Sequence, residues 1–167
     1  MRRHILNLEQ QLPWFNRWPM TKDLFQEICE QENIAVYKWV FPPKVKGFYF
    51  KENDGAVIGI NHTLKHPENT IVACRELGHH FLEHPNGFTL ETETPDMIPT
   101  LEFQAKVFGA LCLIPTPDLE RDGDDALLPW PITFREFRWR VYQDYLAGYD
   151  QNYDQNGHNK DILRNTG

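Results

Sequence analysis

The sequence lacks an apolar run long enough to cross a membrane, and it has few cysteines. No stretch approaches the roughly 18 apolar residues that a membrane-spanning helix needs. The three cysteines of the 167-residue chain are odd in number and widely spaced. Cysteines that do not form disulfides are typical of a reducing compartment. We therefore expect a cytoplasmic protein that has no contact with a membrane.

Basic residues are also in short supply. The chain has 17 Lys and Arg against 24 Asp and Glu, which gives a net charge of −7. Proteins that bind nucleic acid directly need basic patches that displace counterions from the phosphates. The charge balance therefore predicts no direct binding of DNA or RNA.

The length favours one folded domain followed by a short tail. A chain of 167 residues is long enough for a single domain with its own core. We place this domain at residues 1–147, with the aromatic segment 13–19 packed onto it as an arm. Residues 148–167 are rich in Asp, Asn and Gln, a composition that predicts a disordered tail.

Hydrophobic spacing predicts an α+β fold, in which a small antiparallel sheet packs against several helices. The prolines at 42–43 and the Asp54-Gly55 dipeptide separate three strand-like runs, and Asp-Gly is a hairpin signal. Residues 117–125 are polar and are predicted to form an exposed loop. The predicted helices span residues 21–33, 69–83 and 101–113 and a segment that begins at Thr133, and the predicted strands span residues 34–40, 47–51 and 56–60.

Residues 75–79 read Arg-Glu-Leu-Gly-His, one substitution away from the zinc-peptidase motif H-E-x-x-H. In that motif two His four residues apart bind zinc on one face of a helix, and the Glu is the general base. Glu76 and His79 stand at the expected positions, but Arg75 replaces the first His. A guanidinium has no lone pair with which to bind a metal.

The next helix offers a carboxylate for the same site. A catalytic zinc needs three protein ligands, and Glu102 lies near the start of the helix predicted after the motif. One interpretation is an incomplete zinc site of His79 and Glu102, with Glu76 as the catalytic base. The other is that the guanidinium of Arg75 replaces the metal and forms a salt bridge with Glu102, with Glu76 as the second candidate partner.

Electrostatics favours the second interpretation. Two unit charges 4 Å apart interact by about 4 kcal/mol at an effective dielectric constant of 20, so a divalent ion beside Arg75 meets roughly twice that repulsion. Zinc is therefore a doubtful cofactor for this chain. It would need a further donor from Cys74, His62 or His80, of which Cys74 and His80 point about 100° away from their neighbours on the helix.

An overlapping motif is also present. His80, Glu83 and His84 fit H-x-x-E-H, the inverted arrangement of a zinc peptidase. The alternative is that His80 and His84 are two surface histidines near a helix C-terminus, where positive charge is favourable. Proline at position 85 favours this alternative, because it places His84 where the helix ends.

Residues 47–115 resemble the ImmA/IrrE family of small metallopeptidase-like proteins, which is common in phages and mobile elements. The resemblance lies in the hairpin Gly-Phe-Tyr-Phe…Ala-Val-Ile-Gly-Ile-Asn, the segment Arg-Glu-Leu-Gly-His-His-Phe-Leu and the segment that begins Glu102-x-x-Ala105. It implies a zincin-like fold with a metal held by two His and a Glu. It also implies action on a partner transcriptional repressor, which such proteins cleave.

The resemblance therefore leaves two functions in competition. The chain is either a zinc-dependent endopeptidase of a repressor, with Glu76 as base and His79 and Glu102 as ligands, or a non-catalytic descendant that binds such a repressor through the old substrate cleft. Family resemblance favours the first function, and the chemistry of Arg75 favours the second.

Overall fold

A computed structural model describes residues 2–86 and 98–150. The predicted polar tail over residues 148–167 begins within the last turn of the final helix, and residues 151–167 lie outside the described part. Within that part, no helix is both long and apolar enough to cross a membrane. The elements in chain order are α1 (Arg2–Gln11), α2 (Lys22–Gln31), β1 (Ile34–Trp39), β2 (Gly47–Glu52), β3 (Gly55–Asn61), α3 (Glu68–Phe81), α4 (Ile98–Leu113), α5 (Thr116–Asp122), a 3₁₀ turn (Gly123–Leu127) and α6 (Ile132–Asp150).

The three strands form one sheet in the order β1-β3-β2, so the α+β class is confirmed. β2 and β3 form the expected antiparallel hairpin, with Glu52 opposite Gly55. β1, however, pairs with β3 in parallel, and the prediction of a purely antiparallel sheet is wrong. The segment between β1 and β2 crosses the end of β3, so that β3 lies between the two strands and pairs with both.

The N-terminal segment closes one side of the core. α1 was not predicted, yet its Ile5 and Leu8 are buried. Phe15 is fully buried and stacks on Phe108, with ring centroids 4.8 Å apart. Trp14 meets Phe81 edge-on at 5.6 Å, so the aromatic arm packs within the molecule at Trp14 and Phe15, whereas Trp18 is 66% exposed.

Helices α3 and α4 approach each other closely at two glycines. A Cβ on Gly78 would lie 3.0 Å from the carbonyl oxygen of Ala105, and a Cβ on Gly109 would lie 3.1 Å from the backbone nitrogen of Arg75. Phe108, Leu111 and Cys112 of α4 are buried in the core. This packing holds the motif helix and the helix that carries Glu102 side by side.

Two boundaries differ from the predictions. Residues 117–125 are not an exposed loop, because they belong to α5 and the 3₁₀ turn, which Leu119 and Leu127 anchor in the core. Proline at position 117 is compatible with a helix there, since the first turn needs no backbone donor at that position. The last helix begins at Ile132, so Thr133 lies inside its first turn and does not precede it as a cap.

Candidate functional site

The motif residues lie on α3, a helix that is buried over most of its length. Glu76 and His79 are almost inaccessible, with 2% and 3% of their surface exposed, whereas the Arg75 side chain is 20% exposed. Gly47, at the start of β2, makes room for Glu76, since a Cβ there would lie 3.0 Å from Glu76 Oε1. The helix and the sheet together fix the carboxylate of Glu76 in place.

Arg75 forms its ion pair with the neighbouring residue in the chain. Its Nε donates to Glu76 Oε1 at 3.1 Å, and its Nη2 donates to the same oxygen. Burial lowers the pKa of Arg75, but the charge and hydrogen bonding of Glu76, together with the charge of Glu102, outweigh this effect and leave the pKa above its ordinary value. The guanidinium therefore stays charged and neutralises the buried carboxylate.

Glu102 interacts directly with His79. Its Oε1 lies 3.3 Å from His79 Nε2, and this hydrogen bond is the main reason that the pKa of Glu102 is lowered, with a smaller contribution from the charge of Arg75. Among the ion pairs of the described residues, Arg75 contacts Glu76 and not Glu102. The salt bridge expected between Arg75 and Glu102 does not form. The guanidinium pairs with the adjacent Glu76 instead, and Arg75 acts on Glu102 only through a longer-range attraction.

His84 joins the site through the way in which α3 ends. Glu83 has a positive φ of 55°, the backbone N–H of Glu83 donates to His80 O, and that of His84 donates to His79 O. These two bonds define a Schellman motif, which brings the residue after the left-handed position back over the last turn. Glycine usually marks that position, and the sequence has glutamate there, so the signal that would have placed His84 beside His79 is missing.

A hydrogen-bonded chain runs from Glu102 through both histidines to Gln104. His84 Nε2 lies 3.1 Å from Gln104 Oε1, and His84 Nδ1 lies 3.0 Å from His79 Nδ1. Burial and the neighbouring His79 lower the pKa of His84, which keeps its ring neutral with the proton on Nε2. His79 then donates through Nδ1 to His84 Nδ1.

His80 has hydrogen-bond partners other than those of His79 and His84. Its Nδ1 meets the Tyr49 hydroxyl at 3.0 Å, and its Nε2 lies 3.2 Å from Glu32 Oε2. His80 and His84 are 9% and 7% exposed, so the expectation of two surface histidines is wrong. Because the two rings have different partners, the inverted motif does not assemble a site either.

The donor set does not fit a catalytic zinc ion. Such an ion needs three protein ligands, and the described residues contain no group of three or more His, Cys, Asp or Glu side chains placed to hold a metal. His79 and Glu102 offer two donors, and Arg75 brings a positive charge to the position of the third. Cys74 is fully buried with a pKa raised by burial to about 12, so its thiol remains protonated in the core.

Comparisons with known proteins agree with the arrangement of the hairpin, the motif helix and the carboxylate-bearing helix. No curated protein and no solved structure matches the chain. The family model described as the IrrE N-terminal-like domain matches residues 29–125, more than half of the chain and the part that contains the sheet and both site helices. The chain therefore belongs to the ImmA/IrrE family of metallopeptidase-like proteins.

Proposed function

We propose that this protein is a degenerate member of its family, which binds a repressor-type transcription regulator through the cleft beside Arg75 and does not cleave it. The observation that supports the proposal is the ion pair between Arg75 and Glu76. Arg75 stands where the motif requires a metal ligand, and Glu76 stands where it requires a general base. One substitution thus removes a donor and engages the base.

The ion pair between Arg75 and Glu76 also makes Glu76 unsuitable as a catalytic base. A general base must accept a proton from a reacting group, and Oε1 of Glu76 already accepts two hydrogen bonds from Arg75. Glu76 is almost fully buried, so it gains more from a fixed counter-charge than an exposed carboxylate would. The site is therefore suited to hold its shape without performing catalysis.

The partner assignment follows the family. The resemblance implies a repressor of a phage or mobile element as the molecule acted on, and a protein that keeps the cleft without the chemistry retains a surface for such a partner. The proposal includes a cytoplasmic location, which the three free cysteines support. No direct contact with nucleic acid is proposed.

The proposal is tested by comparing the natural protein with Arg75→His. Zinc content is measured after dialysis against a zinc buffer, and peptidase activity is measured on a purified repressor from the same genome. We expect no bound zinc and an uncleaved, bound repressor for the natural protein, and stoichiometric zinc for Arg75→His. Stoichiometric zinc in the natural protein, with cleavage that Glu76→Gln abolishes, would overturn the proposal.

The alternative is an active zinc endopeptidase with Glu76 as base, and one distance favours it. Two ligands that each lie 2.0–2.1 Å from a tetrahedral ion are separated by about 3.3 Å, and His79 Nε2 lies 3.3 Å from Glu102 Oε1. The same distance suits a hydrogen bond between a protonated imidazole and a carboxylate. The zinc measurement on the natural protein decides between the two.

A further inference from the structure

A groove of about 1000 Å³ lies beside Arg75, between α3, α4 and the start of α6. We call it the basic groove, because five cationic side chains line it: Lys46, Lys65, Arg75, Lys106 and Arg140. Among the described residues that line it, Glu68 is the only carboxylate. Such a concentration of positive charge stands out on a chain whose net charge is −7.

Three of the five cations are available to a ligand. Lys46 is paired with Glu68, and Arg75 is paired with Glu76. Lys65, Lys106 and Arg140 are exposed and form no ion pair with any residue in the described part of the chain. The groove therefore presents positive charges that nothing within the described protein neutralises.

Two helices add to the positive potential. The first residues of α3, Pro67 and Glu68, line the basic groove, and so do Pro131 and Thr133 at the start of α6. The N-terminus of a helix carries roughly half a positive charge from its macrodipole. The backbone and the side chains thus favour the same ligand charge.

Apolar side chains lie between the charges, among them Ile71, Ala110, Phe134 and Phe137. The Arg140 guanidinium lies 5.6 Å from the centre of the Phe137 ring, so charged and apolar contacts are interleaved. Successive side chains of an extended peptide point in opposite directions. A peptide that alternates acidic and apolar residues could therefore satisfy both kinds of surface.

The charges favour a peptide over nucleic acid. Glu76 and Glu102 lie close enough to Arg75 to act on its charge, and Lys106 acts on Glu102 in turn. These two carboxylates, which do not line the basic groove but lie near Arg75, and the net charge of −7 repel a polyphosphate, whose charges are closely and regularly spaced. A peptide with a few carboxylates meets less repulsion.

We propose that the basic groove binds an extended acidic segment of the partner protein, in which Glu or Asp alternates with apolar residues. This inference rests on the proposed function, because it names the chemistry of the segment that the partner would present. Lys65, Lys106 and Arg140 pair with the carboxylates, and the apolar lining accepts the residues between them.

The test uses the full chain and a fluorescent peptide of about ten residues, roughly 35 Å when extended, in which Glu alternates with Val. Binding is measured by anisotropy against the Gln-for-Glu peptide, the Lys-for-Glu peptide and oligothymidylate. We expect the Glu peptide to bind most tightly and to weaken as salt is raised. Combining Lys65→Glu, Lys106→Glu and Arg140→Glu should weaken it by about tenfold or more.

A matched control separates the groove from overall charge. Lys22→Glu, Lys44→Glu and Lys51→Glu change the net charge equally at exposed positions outside the basic groove, and we expect less than about a twofold effect because such charges are screened. If the groove variant does not fold, the three Gln substitutions at the same positions replace it.

The outcomes distinguish this inference from the proposed function. Three results would each overturn the proposal that the basic groove binds an acidic segment. They are equal binding of the Glu and Gln peptides, equal loss of binding in both triple variants, and tighter binding of oligothymidylate. If the natural protein at the same time contains no zinc and binds its repressor without cleavage, the proposed function still stands. Zinc and cleavage overturn the proposed function whatever the peptides do.

Discussion

The guanidinium of Arg75 is bound to the carboxylate of Glu76, the next residue in the chain, while Glu102 is bound to His79. Position 75, which the family motif assigns to metal binding, is thus joined to position 76, which it assigns to catalysis. The pairing leaves one cation and one carboxylate already neutralised within a single turn of α3. This local charge balance explains how the site remains intact with an arginine in it.

The first prediction concerns the stability that this pair contributes. Arg75→Ala leaves the carboxylate of Glu76 buried without its counter-charge, and stranding a buried charge is costly. We expect a loss of about 2–4 kcal/mol in the free energy of unfolding, measured by urea denaturation. Adding Glu76→Gln should recover much of the loss, because no charge then remains unpaired.

A matched control exists in α5. Arg121 pairs with Asp122, also its neighbour in the chain, but both side chains are well exposed. Arg121→Ala should therefore change stability far less than Arg75→Ala. Equal effects of the two substitutions would show that the burial of Glu76 contributes nothing.

The second prediction concerns the contact between α3 and α4. In an ordinary helix Gly→Ala stabilises by roughly 1 kcal/mol. At Gly78 and Gly109 the new methyl group would lie 3.0–3.1 Å from backbone atoms of the facing helix, so we expect the sign to reverse, with a loss of about 1–3 kcal/mol for each variant. Thermal unfolding measures it, with the exposed Thr100→Ala in α4 as the control. A gain in stability from Gly→Ala at either position would mean that α3 and α4 can move apart without a cost in free energy.

The third prediction concerns the three cysteines. Burial raises the pKa of Cys29 to about 11 and that of Cys74 to about 12, and it raises the pKa of Cys112 well above its ordinary value of 9.0. At pH 8 a thiol of pKa 11 is ionised in about one molecule in a thousand, and the thiolate is the reactive form. We expect no fast reaction with a disulfide reagent in the native state and three reactive thiols in urea.

The same shifts set a pH dependence. Because the folded pKa values are raised, the thiols favour folding fully below pH 9, and this contribution is lost as the pH rises through about 11 to 12. Stability measured between pH 8 and pH 11 should therefore fall more steeply for the natural protein than for Cys29→Ala. A native cysteine that is labelled within seconds at pH 8 would contradict the prediction.

The fourth prediction concerns the link between the N-terminal arm and α5. Asn16 Oδ1 accepts hydrogen bonds from the Thr116 backbone N–H at 2.7 Å and from its hydroxyl at 3.0 Å. Asn16 has a φ of 54°, which glycine adopts without strain. Asn16→Gly therefore removes the hydrogen bonds and keeps the backbone, and we expect a loss of about 1–3 kcal/mol.

The control is Asn33→Gly. Asn33 has a nearly identical φ of 53° but lies at an exposed position, so the same substitution should cost much less there. Chemical denaturation of both variants gives the comparison. Similar losses of stability at the two positions would indicate that the cause is the larger conformational entropy of glycine in the unfolded chain, and not the loss of the buried hydrogen bonds.

The sequence predicted best where one local signal determines the structure. Thr21, where the first predicted helix begins, caps α2 by accepting from the Leu24 backbone N–H. The helices predicted over residues 69–83 and 101–113 correspond closely to α3 and α4. Periodicity and capping are local properties, so they can be derived from the chain alone.

Predictions failed where the outcome depends on partners far along the chain. The parallel pairing of β1 is decided by β3, not by the turn that follows β1, and the helix at residues 116–122 forms because Leu119 has a place in the core. At the site, Arg75 pairs with Glu76 and not with Glu102, although both carboxylates act on its charge. No spacing rule contains that information.

The contact between Gly109 and the backbone of Arg75 has an evolutionary consequence. α4 touches position 75 through main-chain atoms, while the side chain there points into the basic groove. Exchange of that side chain therefore leaves the backbone contact between α3 and α4 in place. Arginine and histidine are separated by a single base change in the genetic code, so a lineage could pass between an enzyme and a binding protein in one mutational step, without first losing its fold.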